Sequence, residues 1–216
     1  RGFDGILADL AVFSHQFDSD TRGFSFRFDS PLDMRMNQEG GITAADVVNG
    51  YSQESLELVF RRWGEVENAG RIARLIVQAR ETAPISTTGE LNTALKEALP
   101  SFAQHKYLAK VYQALRIEVN HEMRSLEKML QGAAEALREG GRLVVITYHS
   151  LEDRMVKNFI RTGDTQGKEV KDLIYGGACA PLQAVSRKPV VPSEDEIAMN
   201  TRARSAKLRI ARKTGK

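Results

Sequence analysis

Cysteine, proline and tryptophan are scarce in this 216-residue chain, which has one Cys, six Pro and one Trp. The lone Cys179 can form no internal disulfide and belongs to no thiolate cluster of the kind that binds structural zinc. A reducing, cytoplasmic compartment is expected. His15, His105, His121 and His149 are scattered without paired-ligand spacing, so no metal site is expected either. No apolar run approaches the roughly 18 residues of a membrane span, which excludes a transmembrane helix. The opening Arg1-Gly2-Phe3-Asp4 carries no signal-peptide pattern, and neither internal repeats nor low-complexity stretches occur. What is present is ordinary globular material, 42% apolar and 27% charged. That is too apolar for disorder and enough for one large domain or two modest ones.

The net charge of +3 hides an asymmetry. Seven of the 31 basic residues and none of the 28 acidic ones fall between Asn200 and Lys216. The remainder of the chain is net acidic, so the tail accounts for the basic balance and a polyanionic partner follows as an expectation.

Two short apolar runs read as buried parallel strands. The first, Gly5 to Val12, delivers Asp9 to a strand end. The second, Arg142 to Thr147, follows Gly140-Gly141, which read as the stop of a helix over Met129 to Arg138. Leu182 to Ser186 and Ala206 to Arg212 are further strand candidates, the basic one closing the sheet at an edge. Two strands buried on both faces need a wider sheet, so the chain is expected to be the C-terminal portion of a longer protein. Between the strong strands the pattern turns helical: Thr43 to Asn49, Ser52 to Trp63 capped by Ser52, Asn68 to Thr82, Thr88 to Leu99 capped by Thr88 and stopped by Pro100, and a longer, breakable helix over Leu108 to Gln131. The expected architecture is an α/β sheet formed by residues 1–15 and 120–216, with residues 16–119 as an inserted helical domain.

Three motifs could carry chemistry. Asp9 and Gln16 sit beyond a strand end, where open α/β sheets bind ligands, although Asp9 could equally cap the next segment. Tyr148-His149-Ser150-Leu151-Glu152-Asp153-Arg154 packs polar groups past the second strand. Ser150 as helix cap with Asp153 explains two of them, while an exposed Tyr148 beside His149 suits stacking on a planar base. In Arg22 to Met36, aromatics alternate with arginines. Phe24, Phe26 and Phe28 read best as anchors of the insertion onto the sheet domain, while Arg22, Arg27 and Arg35 could be phosphate contacts or solvated. Along the tail, Arg202, Arg204, Lys207, Arg209, Arg212 and Lys213 belong to a possible phosphate-tracking strip or to a solvated edge strand.

These strings resemble the small-subunit rRNA methyltransferase H family, also called MraW. The likeness is carried by Asp4 to Leu10, Arg22 to Phe26, Pro31 to Met36, Gln113 to Asn120, His149 to Arg154 and Arg202 to Arg209, essentially the whole chain. The resemblance implies a Rossmann-like class I methyltransferase sheet with a helical insertion. It implies S-adenosylmethionine as methyl donor, the exocyclic N4 of a 16S rRNA cytidine as target, and Asp9 and Gln16 as cofactor contacts. The partner implied is 16S rRNA within the small ribosomal subunit, with no membrane and with a homodimer left open. Ala11 and Phe13 stand where the family usually has Gly and Ser, and the family's glycine-rich cofactor loop would lie upstream of Arg1.

The cytosine N4 lone pair is delocalised, so the amine needs close approach to the methyl and an acceptor for its proton. His149 and Asp153 are the expected catalytic acceptors, with Asp9 kept for the cofactor. Tyr148, Arg154, Arg22, Arg35, Arg202 and Arg204 are the expected nucleic-acid contacts. Two alternatives stand beside this reading: a non-catalytic rRNA-binding or assembly module, and a hydrolase using His149 with Glu152 or Asp153, which no nucleophile or metal constellation supports.

Overall fold

Strand β1 (Phe3–Asp9) and strand β2 (Leu137–Thr147) lie side by side and parallel, with Asp9 opposite Ile146 and the ladder continued by Leu10 N donating to Ile146 O at 3.1 Å. A computed structural model of the chain describes residues 2–11, 21–168 and 180–215. The chain divides into two compact units, residues 1–11 with 123–216 and residues 12–122.

In the first unit the sheet order is β1-β2-β4-β3, where β3 is Leu182–Ala184 and β4 is Lys207–Lys213, each antiparallel to its neighbour. The basic strand therefore lies inside this sheet, between β2 and β3, rather than at an edge as expected. Its backbone pairs with β2 on one side and with the short β3 on the other, and Ala211 is buried within it. At the other end, β1 is an edge with one face open: Phe3 is 64% and Leu7 68% exposed. The expectation of burial on both faces fails for both strands: in β2 Leu143 and Val145 bury one face while Val144 and Ile146 leave the other only partly covered, and β1, which among the described residues pairs with β2 alone, is more exposed still.

Gly140-Gly141 does not stop a helix. The helix ends at Ala136, and the two glycines lie inside β2 where the register against β1 shifts between Phe3 and Gly5. Gly140 has φ +79°, and a Cβ on Gly141 would come within 2.9 Å of the Phe3 and Arg138 carbonyl oxygens. A strand irregularity needs this pair for the same reason a helix stop would, a backbone that L side chains resist.

The helical unit contains α1 (Ala44–Gly50), α2 (Gln53–Gly64), α3 (Ala69–Thr82), α4 (Thr88–Leu95) and α5 (Gln104–Asn120). Thr43, Ser52 and Thr87 cap the first, second and fourth through their hydroxyls. The cap expected at Thr88 thus belongs to Thr87. Thr88 is instead buried, its hydroxyl donating to Phe28 O at 2.6 Å and accepting from Ser30 N at 3.0 Å. The α4 segment also ends early, passing into a 3-10 turn over Lys96–Ala98 before Pro100. Its core joins Leu56 and Phe60 of α2, Ile72 and Ile76 of α3, Leu91 and Leu95 of α4 and Leu115 of α5. Burying each such side chain is worth about 1.5–3 kcal/mol. Phe24 enters this same core and Phe26 packs against it, while Phe28 stays half exposed. Phe24 and Phe26 therefore anchor the loop within the helical unit itself, not onto the sheet as expected, because that unit's core supplies the apolar surface they bury.

The long helix expected over Leu108 to Gln131 is two, α5 and α6 (Glu122–Ala136), separated by His121 at φ +50°. Helix α7 (Ser150–Thr162) follows β2 directly, and α8 (Glu194–Met199) is capped by Ser193 as its Ser-x-x-Glu spacing suggests. Among the described residues no helix is long and apolar enough to cross a membrane.

Candidate functional site

Because β1 and β2 are parallel neighbours in register, their carboxyl ends open together, in the position where α/β sheets bind ligands. Asp9 closes one strand. Two residues past its ladder partner, Tyr148 leaves the other. Their side chains meet: the Tyr148 hydroxyl donates to Asp9 Oδ1 at 3.0 Å, and the same oxygen accepts Ala11 N at 3.0 Å. Partial burial, the Asp9 bond and the charges of Asp9, Glu152 and Glu196 push the Tyr148 phenol up to about 12. The hydroxyl stays protonated and remains a donor at any physiological pH.

The turn from β2 into α7 is held by Glu152. Its Oε2 accepts Tyr148 N at 2.8 Å and His149 N at 3.3 Å, and its own N–H donates to His149 Nδ1 at 3.3 Å. This is a capping box with an imidazole in the place usually taken by a hydroxyl. The Ser150–Asp153 cap expected from the sequence is displaced by one residue to His149–Glu152, and Ser150 becomes the first helical residue. His149 lies almost buried, its Nε2 3.1 Å from Glu152 Oε1 but not aligned with it as a hydrogen bond. With Nδ1 receiving an amide proton, the imidazole is held in the tautomer that carries hydrogen on Nε2.

Asp153 faces elsewhere. Arg209 of β4 donates Nε to Oδ1 at 2.7 Å and Nη2 to Oδ2 at 3.1 Å, and Lys207 Nζ stands 3.5 Å from Oδ2. Burial alone would raise this carboxyl; the Arg209 bond and the two positive charges outweigh it and hold it below the usual carboxylate range. Each oxygen thus already accepts a bond from Arg209, the partner Asp153 takes in place of the Ser150 cap expected from the sequence. A fork-shaped pair of this kind joins α7 to β4.

The remaining expected contacts divide. Arg154 on α7 and Arg202 and Arg204 in the 3-10 turn Thr201–Ser205 are exposed. Arg22 and Arg35 are turned inward onto their own loop: Arg22 donates to the carbonyls of Arg35 and Met36 and lies 5.3 Å from the Phe24 ring centre, while Arg35 forks onto Asp33 at 2.8 and 3.0 Å. Their guanidinium groups close the loop. Asn120, the last residue of α5, binds the same loop by donating to Met34 O at 2.8 Å and accepting Met36 N at 2.7 Å. Gln16 and Cys179 lie outside the described residues.

Sequence reasoning named Glu152 only as a possible hydrolase partner of His149 and Arg209 only as part of the basic strip, and gave Asn120 no role. The His-x-x-Glu spacing was the available signal for Glu152, since it matches a capping box apart from the imidazole. Arg209 and Asn120 act across long sequence separations and carry no local signal.

A family model described as the MraW methylase family matches residues 1–214. A Ribosomal RNA small subunit methyltransferase H from Bacteroides fragilis is 56% identical over 210 residues, covering 97% of this chain and 69% of that protein. Proteins of the same name from Flavobacterium johnsoniae and Amoebophilus asiaticus are 51% and 47% identical, covering 99% and 98% of this chain and 70% and 68% of their own lengths.

Proposed function

This chain belongs to the MraW methylase family, and from that premise we propose that it is a small-subunit rRNA methyltransferase that moves a methyl group from S-adenosylmethionine to the exocyclic N4 of a 16S cytidine. The observation that carries this reading is the Asp9 carboxylate at the carboxyl end of β1, bonded to Tyr148 just past the end of β2. The donor is a cation, bearing a sulfonium and an ammonium, and calls for an anionic oxygen at this end of the sheet. Asp9 supplies one, exposed and with Oδ1 already held by two donors. Asp9 would hold the donor, and the family spacing assigns Gln16 as a second cofactor contact. When bound, S-adenosylmethionine supplies an electrophilic methyl group, so the task left to the protein is alignment.

The chain's own groups fit that task. Glu152 fixes the backbone of Tyr148 and His149, so the residues leaving β2 present a defined edge to an incoming base. His149 has its Nδ1 lone pair committed to the Glu152 N–H and serves as the helix cap. Asp153 is committed to Arg209. A cytosine amine that has gained a methyl carries positive charge and is acidic enough to release its proton to water, so neither residue is needed as a tuned base. The half-buried Tyr148 ring offers a stacking surface for an extruded base, and the exposed Arg154, Arg202 and Arg204 offer phosphate contacts.

The test is to incubate the protein with labelled S-adenosylmethionine and small ribosomal subunits, digest the RNA, and identify the modified nucleoside by mass spectrometry. N4-methylcytidine is expected with the wild type and about 100-fold less with Asp9→Asn, in line with losing a charged contact at a reacting centre. Label appearing on a ribose oxygen or on ring carbon C5, or no label in the RNA, overturns the reading.

A further inference from the structure

We propose that Tyr148 is a positioning residue for Asp9, and that it acts through its hydroxyl rather than mainly through its ring. Asp9 is an exposed carboxylate at a strand end, and an exposed Asp side chain ordinarily samples several rotamers. Here Oδ1 takes a hydrogen bond from each side, Ala11 N at 3.0 Å from its own strand's continuation and Tyr148 OH at 3.0 Å from the neighbouring strand's. Two donors converging on one oxygen fix both side-chain torsions, and Oδ2 becomes the oxygen turned to a ligand. The phenol is itself held in place: Glu152 Oε2 accepts Tyr148 N at 2.8 Å, so the support runs from the first turn of α7 through Tyr148 to Asp9.

This inference rests on the proposal that Asp9 meets the cationic methyl donor. It adds that the donor's affinity depends on a hydroxyl from the second strand. A ring used only for stacking would not need that hydroxyl, and Phe would serve as well as Tyr. A hydroxyl used for positioning would matter to the donor and leave the RNA indifferent.

The experiment compares the wild type, Tyr148→Phe, Asp9→Asn and the double variant by calorimetric titration with S-adenosylmethionine, together with the KM for small ribosomal subunits. Tyr148→Phe is expected to weaken donor binding about tenfold, the loss typical of one hydrogen bond to a charged group, with the RNA KM unchanged within about twofold. The double variant is expected to bind no more weakly than Asp9→Asn alone, since the hydroxyl then has no anion to orient. Tyr148→Phe that binds the donor like the wild type, or that raises the RNA KM instead, overturns the positioning role while leaving the donor assignment intact. So do losses that multiply in the double variant. A wild-type protein that binds no S-adenosylmethionine overturns the donor assignment itself.

Discussion

The carboxylate of Asp153 and the guanidinium of Arg209 face each other as two matched forks, their bonds of 2.7 and 3.1 Å spanning from the first turn of α7 to the middle of β4. Only 12% of either side chain is exposed, so removing one partner strands a largely desolvated charge. Arg209→Ala is expected to lower stability by about 3–5 kcal/mol in urea unfolding, and the paired replacement Asp153→Asn with Arg209→Met by much less. The pH dependence has a definite sign. The Asp153 carboxyl is held below its ordinary value in the folded state, so its contribution is complete above the unfolded value of about 3.9 and is lost as the pH falls through the lower folded value. Stability measured from pH 5 to pH 2 should drop less steeply in Asp153→Asn than in the wild type.

Tyr148 shows the opposite behaviour. Its phenol is raised to about 12, so the contribution of the protonated hydroxyl is complete below about pH 10 and disappears as the pH rises through the folded value. Difference absorbance between the wild type and Tyr148→Phe should show one tyrosine ionising near that pH. Asp9→Asn should bring the ionisation down, because an anion that resists phenolate formation has gone. Ionisation of Tyr148 at its ordinary value in the wild type would mean that the bond to Asp9 is absent in solution.

Capping and proton acceptance by His149 predict different mutants. As a cap, His149→Asn is a good replacement and should retain turnover within about threefold, whereas His149→Ala should cost about 1 kcal/mol of stability. A proton acceptor would lose about 100-fold or more in turnover with either substitution. Turnover and thermal unfolding of the two variants separate the roles.

Asn120 satisfies three backbone groups with one side chain, donating to Met34 O and Arg116 O and accepting Met36 N. It holds the loop in which Met34 takes φ +61° and is fully buried. Asn120→Ala is expected to destabilise the helical unit by about 2–3 kcal/mol by leaving these groups unpaired. Asn120→Asp should recover only part of that, since a carboxylate accepts but cannot donate. Chemical denaturation measures both.

Arg202 and Arg204 test the RNA surface. If each meets a phosphate, the double alanine variant should weaken binding to a single-stranded fragment uniformly across sequences and reduce the salt slope of the affinity by about 1.4, or about 0.7 per phosphate contact on single strands. An unchanged slope in fluorescence titrations across salt would remove both from the interface.

Local chemistry was legible along the chain wherever one segment settles its own structure. Apolar spacing marked the helices of the insertion, Thr43 and Ser52 marked their starts, and the two apolar runs marked β1 and β2 with Asp9 at a strand end. Errors of one residue arose where two residues compete for the same cap: Thr88 against Thr87, Ser150 against His149. The competition is decided by where the loser's side chain can go, and burial against Phe28 and Ser30 takes Thr88 out of the contest.

What the sequence determined alone was therefore where most helices and the two main strands lie, though not where every one ends, because those follow from hydrogen bonds and apolar faces within a dozen residues. Only tertiary structure decided that β4 lies inside the sheet, that Arg209 takes both oxygens of Asp153, that Arg22 and Arg35 bind their own loop, and that Tyr148 reaches Asp9 across 139 positions. A polar side chain takes the partner that folding brings within 3 Å, and that neighbour is set by strand order and register, which no local pattern encodes.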